Sequence, residues 1–162
     1  MIQKVDCQYD FDILAKLLNG AFATVAKEFG LTIENCPTNN AFITSEELKS
    51  QLTKDREFYV FEENFQLLGF VAIEKSSNTS GTFYIEKLAV VPSYRHLGIG
   101  RRLMEFASKR VQELGGKRIS IGLIDANAQL KKWYAKQGYA EFEVKAIDHL
   151  PFDVCMMEKK CL

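Results

Sequence analysis

The chain has 162 residues, 47% of them hydrophobic and 26% charged, so it can bury a core without a metal or disulfide staple and does not read as a disordered tail. Its 21 Lys+Arg balance 21 Asp+Glu, which argues against a nucleic-acid binder, whose affinity would rest on excess positive charge. One domain over 1–162 accounts for the length.

Cys7, Cys36, Cys155 and Cys161 have neither the CxxC spacing of metal or redox sites nor the density of a disulfide framework. Free thiols, a reducing cytoplasmic setting and no metal are therefore expected. The opening MIQKVDCQYDFD has a charge by position 4 and no apolar run, unlike a signal peptide. The longest uncharged stretches, such as LLNGAFATVA over 17–26, are about half a bilayer span, so no membrane partner is expected.

Residues 2–6 can form a short first strand. Ile13, Leu14, Leu17, Leu18, Ala21, Phe22 and Val25 recur at helical spacing. Residues 30–41 (GLTIENCPTNNA) read as an irregular loop, and Thr44-Ser45-Glu46-Glu47 starts a short helix through about Lys54. Strands follow at 58–62, 67–74 and 82–91, split by Glu63-Asn64 and by SSNTSG over 76–81, which predicts a meander of hairpins.

The period then changes. Ile99, Leu103, Phe106, Ala107, Val111 and Leu114 trace a helical stripe that stops at Gly115-Gly116. Residues 118–123 read as a strand, 127–137 as a helix ending at Gly138, and 139–145 and 153–159 as closing strands. The order is α, α, β-β-β, α, β, α, β-β after the short first strand, and the unit over 82–123 should be parallel and right-handed.

The third long strand is irregular. Strict alternation puts Phe83, Ile85, Lys87, Ala89 and Val91 on one face and Tyr84, Glu86, Leu88 and Val90 on the other, and neither set is cleanly apolar. A β-bulge near 86–88 or a strand buried on both faces at its far end would explain this.

Directly after it comes Pro92-Ser93-Tyr94-Arg95-His96-Leu97-Gly98-Ile99-Gly100-Arg101-Arg102. A Gly-x-Gly turn opening a helix aims unpaired N–H groups at one point, and glycines let an oxyanion approach closely. Between 95 and 118 there are seven basic residues against two acidic ones, so positive charge is concentrated beside this helix start. A dinucleotide fold would want a third glycine where Leu103 stands, and a nucleoside-triphosphate loop would want Gly-Lys-Ser/Thr, which is missing.

Val90-Val91-Pro92-x-Tyr94-Arg95-x-x-Gly98-x-Gly100 resembles the acetyl-CoA signature of the GNAT superfamily of N-acetyltransferases. Asn127, Tyr134 and Gly138-Tyr139 are similar to that family's Asn-x6-Tyr-x3-Gly-Phe/Tyr pattern. The departures at His96, Leu97 and Leu130 spare the signature glycines and Arg95. The resemblance implies an α/β (α+β) fold with a mixed, mostly antiparallel central sheet, one parallel splayed strand pair and flanking helices.

It further implies that acetyl-CoA is the co-substrate. The pantetheine arm would pair with Leu88, Ala89 and Val90, the pyrophosphate would sit at the N–H groups of Leu97, Gly98, Ile99, Gly100 and Arg101 beside Arg95, and Asn127 would contact the arm. Tyr134 would lie near the sulfur as the acid, the reading that the spacing of Asn127 and Gly138 favours over its alternative, a core aromatic on the helix.

Glu86 is the first choice of base, because it interrupts an otherwise apolar strand; its alternative is a salt-bridged strand residue. Tyr84 could orient substrate or simply pack. His96 and His149 are weaker bases, and a water relay is a further option. A lysine-like acceptor with pKa about 10.4 costs roughly 4.6 kcal/mol to hold neutral at pH 7, which a base or desolvation must offset.

The implied activity is direct transfer of acetyl to a primary amine of a small molecule or peptide, in a protein that could form a homodimer. The rivals are a non-catalytic acyl-CoA sensor or partner-binding module on the same fold, and a nucleotide-binding domain. The acceptor pocket would be shaped by 24–45 and 146–152. Residues 1–65 carry eleven acidic against six basic groups, which would suit a cationic amine if they face that pocket and mean nothing if they face solvent.

Overall fold

The computed structural model describes residues 1–161. Four helices, α1 (Phe11–Glu28), α2 (Ser45–Gln51), α3 (Ile99–Glu113) and α4 (Ala128–Ala135), flank a seven-stranded sheet. Its strands are β1 (Ile2–Lys4), β2 (Arg56–Glu63), β3 (Gln66–Lys75), β4 (Thr82–Val90), β5 (Arg118–Ile124), β6 (Ala140–Ala146) and β7 (Asp153–Lys160), ordered β1-β2-β3-β4-β5-β7-β6. Every neighbouring pair is antiparallel except β4–β5. The predicted element order and mixed sheet are both present.

Local chemistry sets the ends of the elements. Asp10 caps α1 by accepting from the N–H groups of Asp12 and Ile13, and Thr44 with Glu47 forms a capping box on α2. α2 stops at Gln51, short of the expected Lys54, because the chain becomes extended at Leu52 and Thr53 bridges to Arg56. The β2–β3 turn places both Asn64 and Phe65 at positive φ, one residue later than Glu63-Asn64 suggested.

Alternation along β2 and β3 builds two cores. Tyr59, Phe61, Val71 and Ile73 pack with Leu103, Met104 and Ala107 of α3, while Phe58, Val60, Phe70 and Ala72 pack with Leu14, Leu18 and Leu48 of α1 and α2. A third, smaller cluster joins Ala26 at the end of α1, Leu31 and Cys36 of the following loop, and Ile124 at the end of β5, with Leu150 and Phe152 against it. The two segments expected to shape an acceptor pocket therefore meet.

The irregular strand proves to be bulged. Phe70 pairs with Ala89 and Ala72 with Glu86, so two steps along β3 match three along β4. Lys87 carries the extra step at φ 55°, a left-handed conformation that costs a non-glycine residue about 1–2 kcal/mol. Across the bulge the faces shift. Phe83 and Ile85 lie in the α3-side core, whereas Ala89 lies in the α1-side core.

β4 and β5 pair only at Thr82–Tyr84 with Arg118–Ser120. Beyond that, β4 stays with β3 and β5 stays with β7. The facing edges of the parallel pair diverge and leave a gap.

Candidate active site

The gap opens into a cleft of about 810 Å³. Its lining includes Leu88, Ala89 and Val90 on the β4 edge, Arg95, Gly98, Ile99, Gly100 and Arg101 at the turn, and Glu86, Asn127 and Tyr134. Of the residues singled out from the sequence for cofactor binding, Leu97 is missing from the wall. Its side chain is 68% exposed and points outward.

At the turn, the N–H groups of His96, Leu97, Gly98, Ile99, Gly100 and Arg101 have no acceptor among the described residues; the first bond of the helix start runs from the Arg102 N–H to the Gly98 carbonyl. No side chain caps α3, and Gly98 sits at φ 85°, ψ 2°. A run of unsatisfied donors at the positive end of a 15-residue helix is suited to a phosphate oxyanion. Gly100 matters by proximity: a Cβ there would stand 3.3 Å from Trp133 Cζ2. The donor set fits a pyrophosphate.

Arg95 is less free than the motif alone suggested. Its guanidinium donates to Thr24 Oγ1 at 2.9 Å and to the Ala21 carbonyl at 2.7 Å, tying the turn to α1. Asn127 likewise caps α4, its Oδ1 accepting from the Leu130 N–H at 3.2 Å. Both residues line the cleft while holding its walls together.

Tyr134 packs edge-on against Trp133 and Tyr139, with ring centroids 5.1 and 5.8 Å away. Burial pushes its phenol above the ordinary tyrosine range. No partner holds its hydroxyl among the described residues, and the side chain borders the cleft.

Glu86 has the ion pair weighed for it as the alternative to a base, accepting from Arg56 Nε at 2.9 Å, and it sits on the cleft wall. Arg56 holds Glu74 at 2.9 Å as well, so one guanidinium bridges two carboxylates. Burial, then the neighbouring Glu74 carboxyl, raise the Glu86 pKa against the pull of Arg56. Tyr84 also borders the cleft, as does His96 at the turn, whereas His149 does not.

Several cleft features were not found from the sequence. Arg56 and Glu74 reach Glu86 through β2–β3–β4 register, and Lys87 lies in the bulge and donates to Asn40 Oδ1 at 2.8 Å. Only the anomaly at 86–88 hinted at any of these. The acidic excess of 1–65 does not form a wall, since Glu28 alone of its eleven acids borders the cleft. Asp10 and Glu47 cap helices, Glu57 binds Arg110, and Glu62 binds Tyr9 and Gln3.

Residues 26–139 match the family model described as Acetyltransferase (GNAT) family. The chain belongs to the GNAT acetyltransferase family. An uncharacterized N-acetyltransferase in the pepI 3' region of Lactobacillus delbrueckii subsp. lactis is 31% identical over 58 residues, 36% of this chain and 34% of that protein. The matched segment thus spans about a third of that curated relative's length.

Among solved structures, the ribosomal-protein-S18-alanine N-acetyltransferase from Escherichia coli superposes with a TM-score of 0.77 at 14% identity, covering 99% of this chain and 93% of that one. The PaiA N-acetyltransferase from Thermoplasma acidophilum, in complex with coenzyme A, gives 0.70 at 21% identity, covering 99% and 98%. These likenesses show that the GNAT fold extends over the whole described chain.

Proposed function

We propose that the chain, as one domain over 1–162, is an acetyl-CoA-dependent N-acetyltransferase that acts on a primary amine of a small molecule or peptide. The observation that carries this is the run of acceptor-free N–H groups from His96 to Arg101 beside the divergent edges of β4 and β5. Neither feature serves the fold: one leaves hydrogen bonds unmade and the other leaves sheet edges unpaired. A ligand with a diphosphate and an extended amide-bearing arm satisfies both, and CoA has that shape.

In this reading the turn from Leu97 to Arg101 grips the diphosphate, and the edge formed by Leu88, Ala89 and Val90 pairs with the arm. Acetyl-CoA supplies the activated acyl group. A main-chain N–H on the divergent edge stabilises the oxyanion that forms on amine attack. Glu86 takes the amine proton, and its raised pKa brings it nearer to working pH than an ordinary carboxylate. Tyr134, a weaker acid than a solvated tyrosine, serves the departing sulfur as a fully protonated hydrogen-bond donor.

No helix is long and apolar enough to cross a membrane among the described residues. All four cysteines are free, which supports a reducing, cytoplasmic setting as part of the proposal.

The test is a thermal-shift comparison of CoA, ATP and NAD, followed by thiol release from acetyl-CoA with a panel of amines. Stabilisation by CoA with acceptor-dependent thiol release is the expected result. Stabilisation by ATP or NAD alone would overturn the reading, and CoA binding without turnover on any amine would reduce the protein to a sensor.

A further inference from the structure

Arg56 touches the cleft only through two residues that line it. Every nitrogen of its guanidinium is engaged: Nε donates to Glu86 Oε1 at 2.9 Å, Nη2 lies 2.9 Å from Glu74 Oε2, and Nη1 donates to the Gln51 carbonyl at 3.4 Å. Both carboxylates border the cleft, whereas the guanidinium stands behind them. Nε and Nη2 form the edge of a guanidinium that ordinarily grips one carboxylate through two parallel bonds. Here that edge is divided, one N–H to each of two carboxylates.

Sheet register sets this up. Arg56 and Glu74 are direct cross-strand partners on β2 and β3, and Glu86 on β4 stands opposite Ala72, two residues before Glu74. Ala72 lies in the α1-side core, so alternation puts Arg56, Glu74 and Glu86 together on that face. Gln51, at the end of α2, braces the guanidinium from outside the sheet. Stability does not call for the arrangement. One carboxylate would satisfy the fork, and a second brings like charges together on a half-buried wall.

We propose that Arg56 and Glu74 are positioning residues for the base: Arg56 holds the Glu86 carboxylate in place from behind the cleft wall, and Glu74 takes half of the fork so that Glu86 is oriented without being fully gripped. The proposal rests on Glu86 as the base of the acetyltransferase reading and adds the groups that set its readiness to take a proton. The two act in opposite directions. Arg56 favours the carboxylate, whereas the Glu74 carboxyl, together with burial, favours the protonated acid. Lys87, next along β4, adds to the pull of Arg56 and itself lies in the favourable field of Glu86, Glu47 and Glu74. Tyr84 is the other ionisable side chain that this stretch of β4 turns to the cleft, and β5 lines the wall across the gap with Ser120, Gly122, Leu123 and Ile124, none of them acidic or basic. A complete two-bond grip would make Glu86 a weaker base, while half a grip leaves it both aimed and basic.

The experiment titrates the Glu86 carboxyl by NMR in the CoA complex of protein carrying carboxyl-labelled glutamate, with Glu86→Gln locating the signal. In parallel it follows kcat/KM for thiol release against pH, using the amine of the panel that turns over fastest. Glu74→Gln keeps an oxygen for Nη2 and removes the charge, so it should move both the titration and the rising limb of the rate about one pH unit down. Arg56→Gln should move both up by about one unit, and Arg56→Lys, which keeps the charge but loses the fork, should lie between it and wild type. A merely structural role would lower the rate at every pH and leave the midpoint where it was.

Shifts of the same sign in Glu74→Gln and Arg56→Gln, or a Glu86 titration unmoved by either, would overturn the proposal. If Arg56→Gln fails to fold, the downward shift in Glu74→Gln decides alone, since that variant leaves no carboxylate without its cation. A rising limb that persists in Glu86→Gln would sink the base assignment itself, and the positioning roles with it. A limb lost in Glu86→Gln but unmoved by the other two variants overturns the positioning roles and leaves the base standing.

Discussion

Gly98 separates conformation from space as the reason for a glycine in the turn. Its φ of 85° lies in the left-handed region, yet nothing stands within 4 Å of a Cβ built on it. Alanine there must either carry the left-handed strain, about 1–2 kcal/mol, or relax the turn. If the turn relaxes, the donors from His96 to Arg101 lose convergence and the cost appears in binding, as about a 5- to 30-fold weaker CoA complex. If it does not, the same energy appears as lower stability, about 2–4 °C in Tm for each kcal/mol in a chain of this size.

Asparagine tolerates the left-handed region far better than alanine despite its larger side chain. Gly98→Asn should therefore lie between wild type and Gly98→Ala when calorimetric CoA titration and thermal melts of the free protein are taken together. An order that follows side-chain size, with Gly98→Asn the worst binder and both variants as stable as wild type, would refute the conformational argument. The glycine would then serve close approach of the ligand.

Tyr134→Phe should lower kcat about tenfold or more with CoA affinity nearly unchanged, read by thiol release and calorimetry; wild-type turnover would leave the ring a packing role between Trp133 and Tyr139. Glu86 must be deprotonated to act, so the rate should rise as pH climbs through its elevated pKa, and Glu86→Gln should flatten that rise; an unaltered pH profile would favour a water relay. Away from the cleft, the Arg110 guanidinium at 2.9 Å holds the largely buried Glu57 down to about 2 from the ordinary 4.5. Its folded pKa is depressed, so its stabilisation is fully present above pH 4.5 and is lost as pH falls toward 2. Glu57→Gln should cost about 2–3 kcal/mol in urea unfolding at pH 7 and about 1 kcal/mol at pH 3, and a gap constant with pH would show that the charge contributes nothing.

The parts of the site legible in the sequence are those made within one stretch of chain. The α3 stripe from Ile99 to Val111, the Gly98-x-Gly100 turn and the Asn127 to Tyr134 spacing are all local, and each lies where the pattern put it. The missing parts are side-chain pairings between distant segments. The motif places Arg95 beside the turn but is silent on its partners, which lie more than seventy positions upstream, on α1. Arg56 reaches Glu86 only because β3 registers both neighbours. Composition misled in the same way: a net charge summed over 1–65 ignores that ten of those eleven acids lie away from the cleft, among them Asp10 and Glu47 in helix caps and Glu57 in an ion pair.

The bulge shows why one anomaly could be noticed and not resolved. With Lys87 skipped, β4 alternates cleanly: Phe83, Ile85, Leu88 and Val90 face the α3-side core, and Ala89 and Val91 face the α1-side core, with Tyr84 and Glu86 in phase with them. The pattern is an ordinary two-sided strand with one residue inserted, which a fixed period of two scrambles on either side of the insertion. A bulge bends its strand and sharpens the local twist. Here it follows the last β4–β5 pairing at Tyr84, on the stretch where β4 leaves its parallel neighbour. The residue that obscures the hydrophobic pattern is thus placed to turn β4 away from β5, and the opening of the cleft and the exit of Lys87 from the ladder have one cause.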